Sequence, residues 1–439
     1  MARRSRFPSW LSTLLIALGI YILVLVAQSM EWISTYWYNV IQLAGLTAIS
    51  ALGLNLIYGF NGQFSLGHIG FYAIGAYGSA LITKDFVTPW SGNRVGALSW
   101  IIAGQVGVLV AMLVLRLLRV GALRKRLAAA LQAEFKPYEV RLAVTVVSLV
   151  LVGIGVAVGV AVAWGLQKGL AAGLAGLARW PDALGQNMVF FIALLCGGTM
   201  AALVAYLIGL PLLRLSSDYF GIATLGFSVM IYTALQNSDQ VIPTMKGARG
   251  MVGIPLWTTW TWVFAALVVV VVIMRNLIHS SYGRAIVSVR EDEIASKTMG
   301  NDVAQLKAMA FAFGAFFAGV AGGLYAHLFG FLHPSTFNFV KGFDPLIIVV
   351  FGGLGSMTGT ILGSAIFALI IEGLRVLLPQ GFEDWRFVVY PIILLLIMLL
   401  RQKGLLGTTE WGWLRAPLPP AREIPVPERA VSAKPEEVG

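Results

Sequence analysis

Charge is what this chain has least of. Only 12% of its 439 residues are Asp, Glu, Lys or Arg, against about 25% in an ordinary soluble domain, while 58% are hydrophobic. Such a chain cannot clothe itself in a hydrated surface, and a water-soluble globular protein is excluded. Cysteine is nearly absent as well. The single thiol, Cys196, forbids any disulfide within the chain and any cysteine-based metal cage. The four histidines show no metal-ligand spacing, no "GxxxxGK[ST]" phosphate loop is present, and no Ser, His and Asp are spaced as a hydrolase would need them.

What is present is long charge-free runs. They extend over Trp10–Met30, Trp32–Thr83, Val95–Leu115, Leu142–Gln167, Ala183–Leu213, Tyr219–Ser238, Gly250–Met274, Ala308–Val340 and Pro345–Ile371. About 20 helical residues cross the ~30 Å hydrocarbon core of a bilayer. Trp32–Thr83 and the last two runs are long enough for more than one pass or a re-entrant piece. A shorter run, Phe387–Leu400, can span with Trp385, Arg386 and Arg401 at the interfaces. The runs are continuously apolar and do not alternate, which argues for helices over a barrel. The expected fold is all-α, a polytopic membrane helical bundle of about 10–12 segments.

Lys and Arg set the orientation. With the N-terminus inside, residues 1–9, 116–141, Arg214, 275–307, Arg401 and Lys403 face the cytoplasm and carry 18 of the 31 basic residues. The net charge of +11 then reads as contact with anionic membrane lipids, with no need for nucleic acid. This topology makes 343–378 a helical hairpin broken near "GGLGS", and leaves the 341–344 connection outside. "MARRSR" plus Trp10–Met30 is read as a retained first span, because the run is too long for a signal-peptide core. The membrane domain is thus 10–403, followed by a Pro-rich cytoplasmic tail at 404–439, "APLPPAREIPVPERAVSAKPEEVG" among it, read as disordered.

The runs contain no Asp or Glu. Ion-coupled carriers keep ionisable groups near the bilayer centre, so a transporter of this kind needs its energy from a partner. His68 reads either as a proton relay or gate, or as a helix-packing hydrogen bond, the preferred reading. His327 and His333 are expected at the outer interface. Gly314, Ala318, Gly322 and Ala326, and again Gly355, Gly359 and Gly363, recur every four residues and give each helix a face that another backbone can approach closely.

Residues 286–302, "IVSVREDEIASKTMGND", break the pattern with four consecutive charges, Arg290, Glu291, Asp292 and Glu293. They fall in the longest polar connection between two confident spans, 275–307. Asp292 can cap a short helix through "EIASKTM", Gly300 can end it in a left-handed turn, and Asp302 with Gln305 can cap the next span. A rigid element is expected, or else a solvated loop that only orients spans.

These residues carry a resemblance. "SVREDEIASKTMGND" is similar to the cytoplasmic coupling loop of the branched-chain amino acid ABC importer permeases of the LivM family, whose form is close to "ALREDEIAAxxxGI". "GLNLIYGFNGQFSLGHIGFYAIGAYGSAL", "LPLLRLSSDYFGIATLGF", "FFAGVAGGLYA", "IVVFGGLGSMTGTILGS" and "RQKGLLG" follow the same family in order, over roughly 38–83 and 190–407. The resemblance implies a multi-pass subunit of the bacterial inner membrane. Its partners would be a second, homologous permease subunit, two ABC ATPase subunits that hold ATP and Mg, and a periplasmic substrate-binding protein; no cofactor would be bound by this chain, and it would be no enzyme itself. Arg290, Glu291, Asp292, Glu293, Ile294, Ala295 and Gly300 would form the ATPase-coupling surface, away from the substrate path. Gly62, Gln63, Ser65, Gly67, His68, Gly314, Gly322, Gly352, Gly353, Gly355 and Gly359 would shape helix packing and the translocation path. A urea or amide importer permease is the nearest alternative, and a self-sufficient secondary transporter a further one.

Two departures stand out. Residues 98–187 are longer than the family's interval and are read as an insert with an extra helical pair around "RLLRVGALRKRLAAALQAEFKPYEVR". In "TMKGARGMVGIP", Lys246 stands where the family often has Gly.

Overall fold

The computed structural model describes residues 9–118, 137–174, 182–213, 217–377, 404–407 and 409–414, with a few isolated positions between them. The expected span at Phe387–Leu400, most of the basic stretch 119–136 and the tail from 415 lie outside the described residues.

The described chain is a helical bundle. Its helices are α1 (Ser9–Ser29), α2 (Thr35–Leu54), α3 (His68–Val87), α4 (Gly96–Leu117), α5 (Pro137–Leu174), α6 (Asp182–Leu212), α7 (Ser217–Gln236) and α8 (Trp260–His279), then two short ones, α9 (Ser281–Glu291) and α10 (Glu293–Thr298), then α11 (Val303–Phe329), α12 (Phe343–Gly352) and α13 (Met357–Leu377). Eight of the described helices are long and apolar enough to cross a membrane. The only described strand pair is the two-residue antiparallel match of β1 (Met251–Val252) with β2 (Phe331–Leu332).

Helix α11 is the centre, packed on α2, α3 and α6. The glycines of its sequence make this possible. Gly314 faces the Gly53 carbonyl of α2, and Gly322 faces the Tyr72 carbonyl of α3. On another side, a Cβ added at Gly319 would lie 2.9 Å from both the Gly197 carbonyl oxygen and the Gly198 Cα of α6. Gly197 in turn abuts Gly75 of α3, so three helices meet backbone to backbone. Without a hydrophobic driving force between spans, such close approach supplies the dispersion contacts that hold helices together. Ala318 and Ala326 of the same spacing are fully buried.

The run Trp32–Thr83 holds one spanning helix and most of a second helix, α3. α2 continues into a π-helical turn, Asn55–Phe60, and the chain returns through an irregular segment to α3. The 343–377 stretch is a hairpin, as the sequence suggests. Gly352 of α12 packs on Gly359 of α13, and Gly363 faces the Ile348 carbonyl farther along. Gly355 does not belong to the helical series, however. It sits in the break before Met357 at φ +79°, and only Gly359 and Gly363 share the helix face. Residues 98–187 contain the expected helical pair, with α4 and α5 packed on one another where Gly107 meets Gly159.

Three further expectations are corrected. His327 is not interfacial but fully buried, its Nε2 2.7 Å from the Thr83 hydroxyl and its Nδ1 2.6 Å from the Gly323 carbonyl. The segment after 404 is not loose up to Leu414: Leu405 and Leu406 donate backbone hydrogen bonds to Phe351 and Gly352, and Leu414 is buried. The connection from α11 to α12 does not stay at the C-terminal end of α11. Leu332 pairs there, but Phe337 descends beside Tyr72 and Gly342 reaches Ile69 in the first turn of α3.

Gly322→Leu and Gly359→Leu should force backbones apart and cost at least the ~1–3 kcal/mol typical of overpacking. Gly165→Leu, at a glycine with nothing within 4 Å, should be tolerated. Unfolding midpoints in detergent check this: equal values for all three variants would mean that these contacts do not stabilise the bundle.

Candidate functional site

The charged stretch folds into two short helices that follow α8. The Ser280 hydroxyl accepts from the Gly283 amide to start α9. Ile286 and Val289 then face inward against Val303, Leu306 and Ala310 of α11. Asp292 ends α9 in an extended conformation, φ −157°, and its Oδ1 accepts the Ile294 and Ala295 amides at 2.8 and 2.9 Å, starting α10. Gly300 follows at φ +87°, a conformation that disfavours residues with a Cβ, and Asp302 takes the Gln305 amide to start α11. The Ser288 and Ser296 hydroxyls lie 2.9 Å apart and tie the two helices together.

The four charges then separate into different roles. Asp292 is the cap. Glu293 pairs with Lys307 at 2.6 Å. Glu291, its side chain 66% exposed, pairs through Oε1 with Arg290 Nε at 3.3 Å, and Arg290, 33% exposed, turns its Nη1 inward. Arg290 Nη1 donates to the Gly59 carbonyl at 2.6 Å, and its side chain covers Gly62. Arg290 is thus not remote from the presumed path segment "GQFSLGH", as the sequence suggested; it grips the start of it. The apolar side chains of Ile294 and Met299 are left exposed. Beside them, a cleft of about 270 Å³ lies between α9 and the turn into α11, lined in part by Tyr282, Ala285, Asn301 and Leu306.

Gly59 belongs to the π-helical turn, and a second polar side chain of that turn holds the hairpin break. Asn55, fully buried, donates through Nδ2 to the Ser356 carbonyl and the Thr360 hydroxyl, both at 2.9 Å, and accepts the Gly355 amide at 3.0 Å. On the far side of the break, Glu410 caps α13: its carboxylate accepts the Met357 and Thr358 amides and the Thr358 hydroxyl. Burial pushes the Glu410 carboxyl up, and the Thr358 hydroxyl and the two amides pull it back. The Ser356 hydroxyl donates to the Thr409 carbonyl at 3.1 Å. One polar network therefore runs from the exposed element through Arg290 and the π-turn to the break and the 404–414 segment.

The other sequence candidates fall in two places. Gly352, Gly353, Gly355 and Gly359 lie at the break, where Gly353 packs on Gly404 and Gly407. Gln63, Ser65, Gly67 and His68 line the return to α3; the His68 Nε2 shares a hydrogen bond with the Ser50 carbonyl at 2.8 Å, and Gly67 faces the Thr224 carbonyl. Gly314 and Gly322 lie apart from both, along α11. Asn55, Gly59 and Glu410 were missed by sequence reasoning; a polar residue inside an apolar run was the one available signal for Asn55. Among the described residues no three His, Cys, Asp or Glu side chains cluster as a metal would require.

Over residues 36–133 and 127–398 the chain matches the family described as "Branched-chain amino acid transport system / permease component". It is 31% identical over 255 residues to the high-affinity branched-chain amino acid transport system permease protein LivM of Escherichia coli, covering 50% of this chain and 58% of that protein. It is 23% identical over 235 residues to the probable LivM of Methanocaldococcus jannaschii, covering 50% and 68%. To LivH of Escherichia coli it is 26% identical over 203 residues, covering 43% and 64%. The chain thus spans 58% of the length of the first of these relatives. No solved structure matches it.

Arg290→Ala leaves a buried carbonyl unpaired, at about 1–3 kcal/mol, and Glu410→Ala uncaps α13, at about 0.5–2 kcal/mol. Amide hydrogen exchange should rise at 55–62 and 353–360 in the first variant and at 353–360 and 404–414 in the second, with α6 unchanged in both. Unaltered exchange at 353–360 in both would break the network.

Proposed function

Because the chain belongs to the family of branched-chain amino acid transport system permease components, we propose that it forms the membrane path of an ATP-driven importer for branched-chain amino acids in a bacterial inner membrane. The observation that carries this reading is the Arg290 contact. An exposed, capped helix pair is joined by one buried hydrogen bond to the π-turn that holds the helix break. A push on the element reaches the spans without crossing a flexible linker. In this reading α9 and α10 dock on an ATP-hydrolysing subunit through Glu291, Ile294 and Met299, and the cleft beside Tyr282 receives a side chain from it.

The partners would be a second, homologous permease, two such ATPases holding ATP and Mg, and a periplasmic protein that delivers substrate. In this reading the work comes from those ATPases. This chain holds the path and transmits the movement; it performs no covalent chemistry.

Glu291→Ala combined with Gly300→Val tests the docking. An exposed ion pair is worth about 0–1 kcal/mol, whereas truncating a charge desolvated at an interface costs about 2–5 kcal/mol. Valine at Gly300 meets no neighbour within 4 Å, only a strained φ. The double variant should insert and pair with its partner permease, yet lose the ATPases or their stimulation by loaded binding protein. Blue-native gels and ATPase assays on the reconstituted complex measure it, and wild-type recruitment and stimulation would return the element to a loop that only orients spans.

A further inference from the structure

Two helices of this bundle begin partway through it. His68, the first residue of α3, hydrogen-bonds Ser50 of α2. Ser50 lies about 22 Å from the start of α2 and about 15 Å from the end of the π-turn at 1.5 Å per residue. The neighbouring α11 gives the same depth. Gly314, opposite Gly53, is about 16 Å from Val303 and about 22 Å from Phe329. A Cβ at Gly342 would lie 3.2 Å from Ile69 and 3.4 Å from the Leu66 carbonyl, so α12 also starts at this level, near mid-bundle.

Irregular backbone at such depth persists only where protein covers it or where it lines a water-filled cavity. The return to α3 is covered: Ser65, Gly67 and His68 are buried. The approach to α12 is not. Phe339, Val340 and Phe343 are exposed, and between them Lys341 Nζ lies 3.4 Å from Asp344 Oδ2, with side chains 44% and 18% exposed. The turn is fixed rather than loose, because Asn338 Oδ1 accepts the Lys341 amide at 3.0 Å. A cation and a carboxylate at the depth of the hydrocarbon core face a bundle interior or an aqueous path, because hydrocarbon would not solvate them.

We propose that the Lys341–Asp344 pair is a way-station of the translocation path, taking the charged head of an amino acid with its carboxylate on Lys341 and its ammonium on Asp344. This rests on the reading of the chain as an amino acid permease and adds the residues that meet the substrate. A zwitterion is the one head group that satisfies both charges at once, and it replaces the ion pair with two new ones at no net charge. Phe339, Val340 and Phe343 offer apolar surface on either side of the pair, which suits a branched aliphatic side chain. A neutral amide would gain from neither charge.

The test uses the reconstituted complex with its partner permease, ATPases and binding protein, and radiolabelled leucine at saturating loaded binding protein. Asp344→Asn and Lys341→Gln should each lower leucine uptake at least tenfold while ATPase stimulation stays within twofold of wild type. The exchange Lys341→Asp with Asp344→Lys should restore at least a third of the wild-type rate. Uptake within twofold of wild type in both single variants, or uptake and ATPase falling in proportion, would make the pair a structural contact and overturn the proposal while leaving the permease reading intact. A wild-type complex that moves no leucine would remove that reading and the site with it. Should the charge variants not assemble, Phe339→Cys and Val340→Cys in a Cys196→Ala background decide. Modification by a charged, water-soluble thiosulfonate, slowed by leucine during turnover, supports an aqueous path; resistance in every state overturns it.

Discussion

A polar side chain inside a bilayer-spanning bundle must find every partner within the protein, and Asn55 does so on a single neighbour, the break between α12 and α13. Its amide donates twice and its carbonyl accepts once, all at 2.9–3.0 Å. The cost of leaving any of these unmade is high where water is absent. The hairpin break is therefore fixed on the π-turn, and the π-turn is where Arg290 arrives from the exposed α9–α10 element. Single-turn π-helices occur often at functional sites. Here the wider turn brings the Gly59 carbonyl to the Arg290 guanidinium while Asn55 reaches the break.

Much of this was legible where the physics is local. Asp292, Gly300 and Asp302 announce caps and a left-handed turn within a few residues, and the structure has them there. The four-residue spacing of Gly314, Ala318 and Gly322 marks a face that touches other backbones, and it does. What was not legible depends on residues far apart in sequence. Arg290 lies 231 positions from Gly59, and nothing near either announces the other. His327 sits a few residues from a helix end, which suggested an interface, but its partner Thr83 comes from α3 and draws it inside. The 404–414 segment reads as part of the Pro-rich tail at 404–439, yet Glu410 finds the first amides of α13.

Composition also misled in two instructive ways. Gly355 continues a spacing that is real for Gly359 and Gly363, yet it lies outside the helix because the chain must turn there at positive φ. Lys246 stands at φ +57°, next to Gly247 at φ +52°. A non-glycine residue in the left-handed region carries strain of order 1 kcal/mol. Glycine is what this backbone asks for, and lysine is held there against its preference.

The backbone-to-backbone seams among α3, α6 and α11 have a mechanical consequence. Where Gly75, Gly197, Gly198 and Gly319 meet, a Cβ added at Gly75, Gly197 or Gly319 would run into the backbone of a neighbouring helix. Helices engaged in this way behave like meshed gears: a slip smaller than one turn, about 5.4 Å, drives a side chain into a neighbouring backbone. Whatever stroke the molecule makes, these three helices travel as one rigid body, and the play is left to the irregular segments that hang from them.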